Sequence, residues 1–160
     1  MKMKTIAGIP AHNNWLCIAS LIDGADEHVD EIIVVDGGSE DKTVKITERT
    51  RTGATVIKQG NAGEGVAIRR LMEEAKKRDA DALVMIEANC EYNPDDIPKV
   101  LAPIVNDEAD LVIGSRFIGN DKEENKKKML FVRLFWARVL NFVANRGAKV
   151  KVSDSQNTFF

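Results

Sequence analysis

Three oxygen-bearing side chains stand at alternate positions directly after an apolar run. Glu87, Asn89 and Glu91 follow residues 82–86, a run typical of a buried strand. In an extended chain, residues two apart point to the same side, so these three side chains could converge just past the strand. Hard cations such as Mg²⁺ and Mn²⁺ prefer oxygen ligands, and open α/β sheets hold their ligands at this edge. The segment predicts a divalent-cation site, and the alternative is an acidic surface turn.

A second strand end repeats this design earlier in the chain. Residues 32–35 are four β-branched residues in a row, and Asp36, Gly37 and Gly38 follow them. Such a run is typical of a strand that is buried on both faces of a sheet. Two acidic strand ends together favour a site over two unrelated turns.

The bulk composition indicates one soluble globular domain. The chain has 160 residues, of which 44% are hydrophobic and 30% charged, and its net charge is −2. This charge gives no general attraction to nucleic acid or anionic lipid. Cys17 and Cys90 lack metal-motif spacing and are interpreted as reduced thiols of a cytosolic protein. No run approaches the roughly 18 to 20 apolar residues of a membrane-spanning helix.

Strand and helix patterns alternate along most of the chain. Strands are predicted over residues 5–9, 32–35, 53–57, 82–86 and 109–113, and Pro10 is expected to end the first. Helices are predicted over residues 16–25, after residue 39, and over residues 66–78 and 94–105. This order predicts an α/β fold with a doubly wound, mostly parallel sheet flanked by helices.

The last quarter differs in composition. Residues 119–128 are charged and lysine-rich and predict a mobile loop, whereas residues 129–144 form an apolar helix that also carries Arg133 and Arg138. We therefore divide the chain into a core over residues 1–118, the loop, and an apolar segment over residues 129–160 of the same domain. The two phenylalanines at its end are interpreted as a sign that a C-terminal segment is missing.

Seven segments, in this order, carry a family resemblance. They are residues 9–13, 34–43, 63–67, 87–89, 95–98, 110–117 and 152–156. Together they resemble a GT-A-fold inverting glycosyltransferase of family 2, nearest the dolichyl-phosphate mannose or glucose synthase branch. The resemblance implies a Rossmann-like nucleotide-binding core.

The resemblance also implies which residues hold the nucleotide. These are Pro10, Ala11, His12, Asn13, Asp36, Gly38, Gly63, Gly65 and Arg69. A buried carboxylate such as Asp36 could accept hydrogen bonds from base or ribose, and the alternative is a cap for the following turn. The glycines of the third loop, residues 61–65, would let backbone N–H groups approach phosphate, and the alternative there is a plain turn.

The implied metal and acceptor residues depart in part from the family pattern. The family has Asp-x-Asp followed by Gln where this chain has Glu87, Asn89 and Glu91, which we take as metal ligands. Glu87, Asn89 and Arg116 are the candidate catalytic residues, and an ordinary salt bridge is the alternative for Arg116. Ser115, Arg116, Asp154 and Gln156 are implied on the acceptor side.

The implied activity is transfer of a hexose, with inversion, from a GDP- or UDP-linked sugar to a polyprenyl phosphate, assisted by Mg²⁺ or Mn²⁺. The helix over residues 129–144 would contact the membrane interface, or would pack on a missing segment or a second copy in a homodimer. A cytoplasmic protein, peripheral at a membrane and without a nucleic-acid partner, is expected. The alternatives are an inactive relative that binds nucleotide sugars and an α/β interaction or oligomerisation domain.

Overall fold

Four short runs that are largely apolar form one parallel sheet in the computed structural model, which describes residues 3–115, 131–147 and 153–154. The strands are β1 (Thr5–Ala11), β2 (Glu31–Asp36), β3 (Thr55–Lys58) and β4 (Ala82–Met85). They are arranged in the order β3-β2-β1-β4, and every neighbouring pair is parallel. The predicted α/β fold with a parallel sheet is confirmed.

The strands alternate with helices. These are α1 (Ile18–Asp26), α2 (Thr43–Thr47), α3 (Glu64–Lys77) and α4 (Ile97–Val105), the last preceded by a 3₁₀ turn over Pro94–Asp96. Helix α3 buries Ala67, Leu71 and Ala75, which lie on one face at helical spacing. Gly8 of β1 makes room for this helix, because a Cβ there would lie 3.1 Å from a methyl group of Leu71.

Strand β1 lies in the interior of the sheet and positions the site. Ala11 at its end is in register with Asp36 of β2, and Gly8 is in register with Met85 of β4. Because these strands are parallel, their carboxyl ends lie at one edge of the sheet. The loops that follow them are therefore brought together.

Pro10 does not end the first strand as the sequence predicts. Strand β1 continues through Pro10 to Ala11. The carbonyl of Gly8 accepts a hydrogen bond from Ile86 N on the β4 side, so Pro10, two residues later, faces the same side. Strand β4 ends at Met85, opposite Gly8. The missing N–H of Pro10 thus lies beyond the paired part of β4, where it interrupts no ladder.

The predicted fifth strand is wrong. Residues 109–115 have no regular secondary structure, although Leu111, Val112 and Ile113 are good strand formers. A strand needs a partner for its backbone as well as suitable side chains, and β4 pairs only with β1 among the described residues.

The prediction of two reduced thiols is also wrong, because Cys17 and Cys90 form a disulfide. Their Cα atoms are 5.3 Å apart although 73 residues separate them in sequence. Cys17 precedes α1 in the segment after β1, and Cys90 lies in the loop after β4, so the pairing of β1 with β4 brings them together. The expectation of a cytosolic protein loses the support that it drew from free thiols.

An ion cluster links the chain before β1 to the start of β2 and the end of α3. Glu31 accepts from Lys4 Nζ at 2.8 Å and from Arg78 Nη1 at 2.9 Å. The hydrogen bond from Lys4 lowers the pKa of Glu31 below its ordinary value of 4.5, desolvation raises it, and Arg78 adds to the lowering. Because the folded-state pKa is the lower one, the cluster stabilises the fold above about pH 4.5 and loses this effect as the pH falls further.

We expect Glu31→Gln to lower the free energy of unfolding at neutral pH by on the order of 1 kcal/mol, since two half-exposed ion pairs are lost. The difference between variant and wild type should shrink as the pH falls through the lowered pKa of Glu31 in the folded state, because protonation then removes the charge from the wild type as well. Urea unfolding at several pH values measures this. A difference that stays constant with pH would contradict the assignment.

The chain divides into two compact units, Met1–Asp110 and Leu111–Thr158. The second contains helix α5 (Phe131–Gly147). Trp136, Leu140 and Val143 lie on one face of α5, and each is at least 45% exposed. No helix in the described part of the chain combines the length and apolar character needed to cross a bilayer. The predicted loop over residues 119–128 lies outside the described residues.

Candidate functional site

A cavity of about 270 Å³ lies at the carboxyl edge of the sheet. Residues that follow all four strands line it, together with the first turn of α3. The lining residues are Pro10, Ala11, His12, Asn14, Gly37, Gln59, Asn61, Gly63, Glu64, Ala67 and Glu87. The structure thus brings together five of the predicted site residues, Pro10, Ala11, His12, Gly63 and Glu87.

Hydrogen bonds to the loop after β2 hold the loop after β1 in place. Asn13 N donates to Ser39 Oγ at 2.9 Å, and Glu40 N donates back to Asn13 Oδ1 at 2.9 Å. Asn14 N donates to Thr43 Oγ1 at 2.8 Å. Asn13 therefore positions the loop, and its side chain is not among those that line the cavity.

Asp41 completes this support. It accepts hydrogen bonds from the side chain and the backbone N–H of Thr43. Burial raises the pKa of Asp41, but these hydrogen bonds outweigh it, so the pKa lies below its ordinary value of 3.8. The carboxylate stays ionised near neutral pH and fixes the buried Thr43, on which the first loop rests.

Asp36 caps the turn that follows β2. It is 3% exposed and accepts from Gly38 N at 3.1 Å and from Ser39 N at 3.2 Å. Gly38 has φ of +87°, and a Cβ there would lie 3.1 Å from Asn61 N of the third loop. The capping role left open for Asp36 is thus present, and neither residue is among those that line the cavity.

The third loop leaves open space beside the cavity. A Cβ on Gly63 or Gly65 would meet nothing within 4 Å, and Gly63 has φ of +84°. Helix α3 follows Gly63, and the N–H groups of Val66 and Ala67 donate to the carbonyl of Gly63 at 3.2 and 3.3 Å. Arg69 is exposed on α3 and does not line the cavity.

The segment after β4 is bent, contrary to the extended chain assumed from the sequence. Cys90 has φ of +58°. Asn89 Nδ2 donates to Glu87 Oε2 at 3.0 Å, and Asn89 Oδ1 accepts from Glu91 N at 3.0 Å. Glu87 lines the cavity, and Asn89 supports it through its amide N–H. No group of three His, Cys, Asp or Glu side chains suited to a metal occurs in the described part of the chain.

A family model described as glycosyl transferase family 2 matches residues 7–160. The chain belongs to this family.

Two curated archaeal relatives carry transferase names. The chain is 31% identical to UDP-N-acetylglucosamine–dolichyl-phosphate N-acetylglucosaminyltransferase of Methanococcus voltae over 93% of its own length and 65% of that protein. It is 32% identical to dolichol-phosphate mannosyltransferase of Pyrococcus furiosus over 77% of its own length and 36% of that protein. The chain therefore spans about two thirds of the first relative and about a third of the second.

Solved structures share the fold. Glucosyl-3-phosphoglycerate synthase of Mycobacterium tuberculosis with UDP matches with a TM-score of 0.63 and 23% identity, over 93% of this chain and 53% of that one. The same enzyme with Mn²⁺, UDP and phosphoglyceric acid matches at 0.54 and 26%, over 64% and 39%. The sheet and its flanking helices are those of a GT-A fold.

The cavity of this family 2 chain is acidic. Glu64 and Glu87 line it, and no lysine or arginine does so in the described part of the chain. An anionic ligand such as a diphosphate would meet two carboxylates there. Among the described lining residues, these two carboxylates would repel such a ligand.

Several lining residues were not among the predicted site residues. Gln59 follows β3, and Ala67 lies on the buried face of α3. The rule that located Asp36 and Glu87, a polar residue at a strand end, finds Gln59 only when β3 ends at Lys58 as observed, and not at residue 57 as predicted.

The acceptor-side residues remain predictions. Arg116 and Gln156 lie outside the described residues. Ser115 is half-buried in a segment without regular structure, and Asp154 is 1% exposed. Beside Asp154, the carbonyl of Ser153 accepts from Asn141 Nδ2 of α5 at 2.7 Å.

Proposed function

We propose that this family 2 chain moves a hexose from a nucleotide-diphosphate sugar to a polyprenyl phosphate with inversion. The observation that carries the proposal is the cavity over the carboxyl ends of the strands, which the loop after β1, the third loop and Glu87 line together. The names of the two archaeal relatives, which specify dolichyl-phosphate acceptors, support the acceptor class.

The donor would bind with its nucleotide in this cavity, in contact with Pro10, Ala11 and His12. Pro10 and Ala11 end β1, and the loop that begins with His12 is fixed through Asn13 and Asn14 before any ligand arrives, so little ordering is required on binding. Asp36 and Gly38 hold the adjoining turn. Gly63 and Gly65 leave room for close approach of the ligand to the backbone.

The residues present fit Mg²⁺ or Mn²⁺ as oxygen donors. Glu87 would hold the cation, since such sites often combine one or two carboxylates with substrate phosphates. Asn89 would orient Glu87 in the arrangement seen, and Glu91 and the Asn89 carbonyl remain predicted ligands. When bound, the cation would neutralise charge on the leaving diphosphate.

The acceptor phosphate is already anionic near neutral pH, so a strong general base is dispensable. Its oxygen would attack the anomeric carbon opposite the leaving diphosphate, which inverts that centre. Ser115, Arg116, Asp154 and Gln156 are proposed to position the acceptor, with Arg116 suited to bidentate contact with phosphate.

Helix α5 is proposed to contact the membrane interface that carries the acceptor. Its support is the exposed apolar face with Trp136, Leu140 and Val143, and the exposed Arg138 on another face. A peripheral position at a membrane would follow from this contact, and its cytoplasmic face remains a prediction. A homodimer through the same face is the competing arrangement.

Calorimetric titration with UDP and GDP, with and without Mn²⁺, tests the donor site, with Glu87→Gln as the variant. A transfer assay with polyprenyl phosphate in vesicles tests turnover, and the fraction of protein that sediments with the vesicles tests membrane contact. Metal-dependent binding and sugar transfer are expected, both weakened by Glu87→Gln. Binding without transfer would indicate an inactive relative. Absence of nucleotide binding, together with a concentration-dependent mass, would indicate an interaction domain.

A further inference from the structure

Gln59 is anchored in the cavity wall by two hydrogen bonds. Its backbone N–H donates to the carbonyl of Asp36 at 3.0 Å, which continues the pairing of β3 with β2. Its side-chain Nε2 donates to the carbonyl of Gly63 at 3.2 Å. The residue thus ties the second strand end to the third loop.

The anchoring fixes which amide atom is which. A carbonyl accepts and cannot donate, so the atom that faces Gly63 must be the nitrogen. Oε1 therefore points elsewhere, and in the described part of the chain this buried oxygen accepts no hydrogen bond. Buried acceptors without a donor are rare in native proteins, and a ligand that supplies a donor would satisfy this one.

The position of Gln59 indicates which end of a bound nucleotide lies beside it. Gln59 follows β3 and Glu87 follows β4, at opposite ends of the strand order β3-β2-β1-β4. Three strand spacings amount to roughly 14 Å, comparable to the length of a nucleoside diphosphate. With the diphosphate and its cation at Glu87, the base falls at Gln59. Phosphate oxygens only accept, so they cannot satisfy Oε1.

We propose that Gln59 selects the nucleobase by accepting a hydrogen bond from a ring N–H, an inference that rests on the proposed nucleotide site. Uracil N3–H and guanine N1–H supply this donor beside a ring carbonyl. Cytosine and adenine have an acceptor nitrogen at the equivalent position. Since Oε1 is covered, the proposal requires the side chain to turn this oxygen into the cavity when the base binds.

Titration of the whole chain with UDP, GDP, CDP and ADP in the presence of Mn²⁺ tests the proposal. All four ligands share the same ribose and diphosphate, so a difference in affinity reports the base. We expect UDP or GDP to bind at least about tenfold more tightly than CDP and ADP, the size of one well-placed base contact. In Gln59→Met this ratio should fall toward one, because the acceptor is gone.

The ligand can be altered instead of the protein, which avoids any effect of the substitution on folding. Methylation of the ring nitrogen, at N3 of UDP or N1 of GDP, removes the donor and should weaken binding to the wild type by a similar factor. Equal binding of all four nucleotides would overturn the base-selection proposal and leave the nucleotide site standing. An equal loss of affinity for all four nucleotides in Gln59→Met would also overturn the base-selection proposal, because such a loss indicates a contact with the ribose. Absence of binding by every nucleotide would overturn both.

Discussion

Removal of the Cys17–Cys90 disulfide is expected to lower the free energy of unfolding by about 4 kcal/mol. The disulfide closes a loop with a sequence separation of 73 residues, and in the chain-entropy model a cross-link of this span limits the unfolded ensemble by about that amount.

Urea unfolding of the wild type, with and without a dithiol reductant, measures this effect. The double variant Cys17→Ser/Cys90→Ser should match the reduced wild type and should not respond to reductant. Two thiols that react with a thiol reagent in the native, unreduced protein would contradict the prediction. So would equal stability of the oxidised and reduced chains.

The second large effect concerns the charge of the cavity. Glu64→Lys is expected to tighten UDP or GDP binding in the absence of divalent cations by about tenfold, since it reverses one of the two negative charges that line the cavity. The gain should be smaller with Mn²⁺, because the cation already neutralises part of the ligand charge.

Glu73→Lys is the matched control for this charge reversal. Glu73 is exposed on the same helix, nine positions further along, and does not line the cavity. The control should leave nucleotide affinity unchanged within about twofold, because a charge roughly 14 Å away along the helix is screened by salt. If both substitutions raised affinity equally, the effect would be one of net charge and not of the cavity.

The parallel sheet could be predicted from sequence because its signals are local. The run of β-branched residues before Asp36 and the apolar positions of α3 each indicate their own element. The segments that connect the strands then allow few arrangements of the strands in the sheet. The end of β1 was mispredicted because the effect of Pro10 depends on where β4 stops, which is a property of the paired strands.

The site was predicted less completely because it depends on distant pairings. Glu87 was located by its place at a strand end, whereas Pro10, Ala11, His12 and Gly63 were implied by the family resemblance. All five line the cavity. The disulfide and the bend after β4 could not be deduced, since no pattern near either cysteine indicates its partner.

The bent segment also changes what Asn89 does. On an extended chain, Asn89 would point to the same side as Glu87 and could bind the same cation. The bend instead directs the amide N–H of Asn89 to the Glu87 carboxylate. The alternation of side chains along a strand predicts their directions only as far as the strand is paired with its neighbour. Here the pairing of β4 with β1 stops at Met85.

The order of the strands has a consequence for synthesis on the ribosome. Strand β1 leaves the ribosome first, yet one of its two neighbours is β4, and Thr5 pairs with Ala82. Until residues 82–85 have been made, the edge of β1 that receives β4 has no strand beside it, and its backbone groups are open to other chains. The nascent chain therefore carries an unprotected sheet edge through the translation of three strands, and the same event that covers this edge also brings Cys90 toward Cys17.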